Sequence, residues 1–161
     1  MTDKSVAPPL AHSELTGRIL DCFFDTYREL GHGFSESVLR RAMVVVLEQA
    51  GMQVTRQAPL EVWFRGHSIG AFYADLVVDG TVLIEIKASA SIESYAVAQT
   101  LNYLKVAGGG VGLLLTFGHK PEFRRLVMGD PSNSLPLLKK GFHFQASDSP
   151  GPDRPFDRGH G

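Results

Sequence analysis

A chain of 161 residues with 43% apolar content can bury one genuine core, so a single domain is expected. Sixteen basic against seventeen acidic residues leave a net charge of −1, which excludes a protein that coats nucleic acid through its overall charge; any such contact must be a local patch. The single cysteine, Cys22, excludes an internal disulfide and an all-cysteine zinc site, and no apolar run approaches the roughly 20 residues of a membrane span.

Residues 1–12, with Pro8-Pro9 and little apolar pattern, read as a flexible leader. Ser13 is an N-cap candidate for a first helix whose stripe is Leu15, Ile19, Cys22, Phe23 and Leu30, ending at Gly31. On that stripe Cys22 reads as a buried thiol. Ser35 opens a second helix carrying Val38, Leu39, Ala42, Val46 and Leu47 as far as Gly51. Glu36 falls in its first turn, where the helix dipole alone is reason enough for an acid. From Met52 the period changes from helical to alternating. A short strand at Val54, a second over 60–65, a long one over 69–78 and an apolar, central one over 81–88 form an antiparallel meander, with Pro59 marking an edge or a strand start. Helical signals return over 92–106, where Tyr95, Gln99 and Tyr103 recur every four residues on one face. Gly108-Gly109-Gly110 lacks the Lys-Ser/Thr of a phosphate loop and reads as a connector. Residues 111–117 read as a buried strand parallel to its predecessor across the helix, and 123–128 as an edge strand turning Arg124 and Arg125 outward. After Gly129 the pattern decays; 130–161 reads as a mostly disordered tail, with room for a short element over 135–144.

The chemistry concentrates in 71–88, AFYADLVVDGTVLIEIKA, where two apolar runs flank Asp79-Gly80, a hairpin turn signal. Asp75, Glu85 and Lys87 have no place in a plain apolar hairpin, because an ionised group there is costly unless something pairs or binds it. Glu85 and Lys87 share one sheet face about 7 Å apart. Whether Asp75 joins them depends on parity. A two-residue turn pairs Val78 with Thr81 and leaves Glu85 on the wrong side. A three-residue loop of Val78, Asp79 and Gly80, pairing Asp75 with Leu83, or a bulge, brings both carboxylates to one side. The second arrangement is expected.

An Asp followed by E-x-K on the next strand, with Gly33-Phe34-Ser35-Glu36-Ser37-Val38-Leu39 upstream and Ala98-Gln99-Thr100-Leu101-Asn102-Tyr103 downstream, resembles the GxxExxY protein family of the PD-(D/E)XK nuclease superfamily, over about Leu15 to Val127. Gln99 and Tyr103 also resemble the Q-x-x-x-Y pattern of its RecB-like members. Leu39 stands where the family's Tyr belongs, Tyr73 where an Arg is usual, Thr116 where Asn is common, and Ala74 where the superfamily's Pro would be; none is an expected metal ligand. The resemblance implies a restriction-endonuclease-like α/β core over 13–129, a mixed sheet flanked by helices in the order α-α-β-β-β-β-α-β-β. It implies a nuclease hydrolysing phosphodiester bonds in DNA with Mg²⁺ or Mn²⁺ held by Asp75, Glu85, the Ile86 backbone carbonyl and Glu36. Lys87 and Gln99 would complete the catalytic set, while Tyr103, Arg40, Arg41, Lys105 and Arg124 would contact substrate. Related nucleases sometimes add a histidine ligand, for which His32 is placed, although a polar turn residue is the simpler reading. The protein is expected to be cytoplasmic and off the membrane; small nucleases of this type often dimerise, and a homodimer is carried as an expectation without a motif of its own. The same residues allow a nucleic-acid-binding module without turnover, or a regulatory protein whose hairpin charges form an ion cluster.

Overall fold

The computed structural model describes residues 10–132, 135 and 144–145. Two helices come first, α1 (Ser13–Leu30) and α2 (Glu36–Gln49), then strands β1 (Val54–Phe64), β2 (His67–Val78) and β3 (Val82–Lys87), helix α3 (Ser94–Val106), and strands β4 (Gly110–Phe117), β5 (Pro121–Met128) and the two-residue β6 (Phe144–Gln145). The strands form one sheet in the order β5-β4-β3-β2-β1-β6. Pairing is antiparallel except between β3 and β4, which α3 connects, and between β1 and β6. The α/β core with a mixed sheet is therefore as expected. The expected four strands between α2 and α3 are three: Val54 and 60–65 belong to one continuous β1. Pro59 is tolerated inside it because β1 pairs on its outer side only at Val62 and Trp63, so near Pro59 it is an edge among the described residues.

Helices cover both faces. Ile19, Cys22 and Phe23 of α1 and Leu39, Met43, Val44 and Leu47 of α2 pack against Val82, Ile84 and Ile86 of β3 and Leu113, Leu115 and Phe117 of β4. Leu83 and Leu114 point the other way, into a second core with Ala96, Tyr103 and Leu104 of α3. All of β3 but Lys87 is buried, which makes it the central strand the sequence indicated. Leu135, in the expected tail, packs in the α3-side core and donates its N–H to the Gly80 carbonyl. Residues 1–9 of the leader and the rest of the tail beyond Ser132, Leu135 and β6 lie outside the described residues.

Local signals account for most boundaries. Ser35 caps α2, its Oγ accepting from the Val38 N–H. Ser13 is no cap: His12 holds that position in a left-handed conformation, and Ser13 is the first helical residue. The buried stripe of α2 runs through Leu39 and Met43, leaving Val38 exposed. Leu39 is wholly buried, so the position is one of packing in this chain. At the end of β4, Gly118 lets the chain pass the 88–91 loop, since a Cβ there would lie 2.5 Å from the Ala90 carbonyl oxygen. Tyr27 fixes this crossing by donating to the Gly118 carbonyl at 2.6 Å.

Candidate functional site

The parity of the β2–β3 hairpin decides the site. Asp79 and Gly80 both have positive φ, 51° and 60°, and the Thr81 N–H donates to the Val78 carbonyl, which together make a tight primed turn on the Asp-Gly pair. Strand pairing resumes only at Val78–Val82, so Thr81 is one extra residue that restores the parity the site needs. The loop thus differs from the expected one by including Thr81 in place of Val78. The register consequently puts Asp75 across from Glu85 instead of Leu83. Both carboxylates come to the same place.

The ladder stops just before them, at Leu76–Ile84. Beyond it β2 and β3 diverge, and the two acids bridge the fork: the Asp75 N–H donates to Glu85 Oε1 at 3.0 Å, and the Ile86 N–H donates to Asp75 Oδ2 at 2.8 Å. The pleat of β1 is disturbed at the same level, where Gln57 has a positive φ of 44° between the Arg56–Leu76 and Ala58–Ala74 pairs. Such irregularities re-aim side chains beside functional sites.

Glu85 is 3% exposed. Burial, followed by the charge of Asp75, pushes its carboxyl from an ordinary 4.5 up to about 8, with the Asp75 N–H and Lys87 opposing. Two acids in so small a volume call for a cation. One is already present on the α2 side: Arg40 Nη1 lies 3.0 Å from Asp75 Oδ1. One turn earlier on the same helix face, Glu36 Oε1 accepts from the Ala88 N–H at 3.3 Å, at the carboxy end of β3. On the α3 side Lys87 Nζ donates to Gln99 Oε1 at 3.0 Å. Tyr103, 7% exposed, has its phenol pushed up to about 12 by burial and by the fields of Glu85 and Asp75.

Asp75, Glu85, Lys87 and Gln99 are thus gathered at one fork, Tyr103 lies within their field, and Glu36 reaches the same strand end. Among the described residues no three His, Cys, Asp or Glu side chains stand close enough to hold a metal ion, so Glu36 does not join the two acids as a third ligand here. Arg40, expected at the substrate, is engaged by Asp75. Arg41 and Lys105 are exposed on α2 and α3. Arg124 is exposed on β5, two strands and about 10 Å from Glu85. The outward pairing of Arg124 with Arg125 fails, since neighbours on a strand face opposite ways: Arg125 is half-buried and donates to the Ala11 carbonyl. The ring of His32 packs on that of His119, 4.5 Å between centroids.

Three further residues lie near the fork outside the expected site set. Thr116, in register with Lys87, has a buried hydroxyl without a hydrogen-bond partner among the described residues. Phe72 on β2 and Asn102 on α3 join Tyr95, Ala98, Gln99 and Tyr103 in lining a groove of 160 Å³. For Asn102 the i+3 spacing from Gln99 was available as a cue, and for Thr116 the family resemblance, which has Asn common at that position; for Phe72 only the sheet register brings it near.

Among the described residues no helix is long and apolar enough to cross a membrane. No curated protein matches the chain. The crystal structure of SSO0001 is similar over 80% of this chain and 65% of that one, with 16% identity and a TM-score of 0.43, so the chain spans less than two thirds of that protein's length. A sequence model of the PD-(D/E)XK nuclease superfamily matches residues 13–126, most of the chain, without resolving the narrower GxxExxY resemblance. With an Asp and an E-x-K motif meeting at a fork in the central sheet, and that match spanning every element from α1 into β5, the chain belongs to the PD-(D/E)XK nuclease superfamily.

Proposed function

We propose that this chain hydrolyses phosphodiester bonds in DNA with a divalent cation, Mg²⁺ or Mn²⁺, bound at the fork of β2 and β3. The observation that carries the reading is the mutual bracing of Asp75 and Glu85 beside Lys87. The donor set suits such an ion: two carboxylates and the Ile86 carbonyl are hard oxygen ligands, and a cation there would offset the burial and the Asp75 charge that raise the Glu85 carboxyl. Members of this superfamily usually use divalent metals. Asp75, Glu85 and the Ile86 carbonyl would hold the ion, with Glu36 able to contribute through water. When bound it supplies Lewis acidity at the phosphate and lowers the pKa of water.

The chain's own residues do the rest. Lys87 presents an ammonium at the phosphate, where it stabilises the charge that develops during displacement. Gln99 fixes that ammonium through its Oε1, so it acts on the phosphate through Lys87. Arg41 and Lys105 extend positive charge along the strand backbone. Neither the fold nor the comparisons support a homodimer.

The Arg40–Asp75 pair favours a second reading, a binding module without turnover, because it already gives the acids a cation. One experiment separates the two. Purified protein is incubated with single-stranded, duplex and branched DNA plus Mn²⁺, beside Glu85→Ala. Cleavage is expected from the native chain, with a loss in the variant exceeding the roughly 100-fold that supporting residues of metal sites cost. Retention of DNA without product would establish the second reading; equal cleavage by the variant would remove Glu85 from the mechanism.

A further inference from the structure

The groove beside the fork has a composition that packing does not require. Tyr95, Ala98, Gln99, Asn102 and Tyr103 lie on one face of α3, and Phe72 reaches them from β2. Tyr103 forms the floor, its ring 5.1 Å from that of Phe72. Tyr95 is 75% exposed and Phe72 40% exposed, so two large rings of the lining stand in water. No lining residue is charged, yet Gln99 accepts a hydrogen bond from Lys87 and so joins the groove to the ammonium of the fork. Aromatic faces, two carboxamides and a cation at one end match the parts of a nucleotide: a flat ring, its polar edge and its phosphate.

We propose that this groove takes one unpaired nucleobase from the strand whose phosphate lies at Lys87. The base stacks on Tyr95 and Phe72, and Asn102 and Gln99 meet its edge. A base inside a duplex has both faces covered by its neighbours and its edge engaged by its partner, so it cannot enter. The inference rests on the nuclease reading and narrows its substrate to single-stranded nucleic acid, deoxyribose or ribose.

The test uses the full chain in EDTA, where no cleavage occurs, so that binding is read apart from turnover. Anisotropy of labelled single-stranded DNA, single-stranded RNA and blunt duplex is measured for the native chain, Tyr95→Ala and Tyr95→Phe, and 2-aminopurine in the single strands reports stacking. Tyr95 is exposed and outside the catalytic set, so its removal leaves the fold intact. Tyr95→Ala is expected to weaken single-strand binding by about tenfold or more and to abolish 2-aminopurine quenching. Tyr95→Phe restores both, duplex binding does not change, and a strand with an abasic nucleotide does not sense the variant. Whichever sugar shows the effect is the source of the base. Unchanged single-strand affinity in Tyr95→Ala, an equal loss with duplex, or no binding of any strand would overturn the proposal. DNA cleavage that persists with a silent Tyr95 would refute the groove and keep the nuclease; Tyr95-dependent binding without cleavage would do the reverse.

Discussion

Glu85 concentrates the energetic tension of the site. Its folded carboxyl titrates at about 8 against an ordinary 4.5, because burial and the neighbouring Asp75 disfavour the charge. Between these values the folded chain keeps a proton that the unfolded chain has released. Its contribution to stability is therefore full below pH 4.5 and is lost as the pH rises through 8. Thermal unfolding of the metal-free protein is expected to show that decline, and Glu85→Gln to flatten it; parallel curves for the two proteins would refute the assignment. Arg40 bears the opposite charge at the same place. Its guanidinium and the Asp75 carboxylate are 22% and 16% exposed, so breaking the pair should cost about 2 kcal/mol, below the roughly 3–5 kcal/mol of fully buried pairs. Arg40→Met is thus expected to be less stable without metal and, with no guanidinium to displace, to bind Mn²⁺ more tightly. Calorimetric titration checks this, and weaker Mn²⁺ binding would mean that Arg40 orients Asp75 for the ion.

The hairpin was legible at the level of elements because parity is binary. Placing both acids on one face required an odd loop, and the Asp79-Gly80 turn with Thr81 added provides it. The exact register was not legible, since a primed turn plus one residue and a shifted three-residue loop satisfy the same parity. The unity of β1 was hidden by Pro59, which breaks a central strand but not an edge, and edge status is a property of the whole sheet. The stripe of α2 was misread by one residue at Val38, and that offset decides which residues meet the fork: Glu36 and Arg40 share the face that turns to it. The parallel β3–α3–β4 unit was the clearest, because a helical period between two apolar runs leaves few other folds. The groove was half visible, as Tyr95, Gln99 and Tyr103 at helical spacing; Phe72 comes from β2 and no local pattern announces it.

The whole molecule places this site where neither helical layer closes the sheet. Helices α1 and α2 seal one face and α3 the other, and the fork at the end of β3 receives Arg40 and Glu36 from the first layer and Gln99 from the second. A net charge of −1 spread over such a body supplies no general attraction to nucleic acid, so binding must draw on the few cations around that opening. Lys87 and the exposed Arg41 and Lys105 of α2 and α3 are the cations proposed for phosphates, while Arg40 pairs with Asp75 and Arg124 lies two strands away. Three phosphate contacts on a single strand correspond to a slope of log affinity against log salt of about −2, or a loss of roughly 20-fold between 50 and 200 mM salt. Arg41→Ala should reduce the magnitude of that slope by about 0.7 while weakening all sequences alike. Anisotropy titrations across that salt range measure both quantities. A slope several times steeper would mean that more cations than these three meet the strand, and exposed Arg124 on β5, in register with Glu85 across β4, would then be the first to examine by substitution.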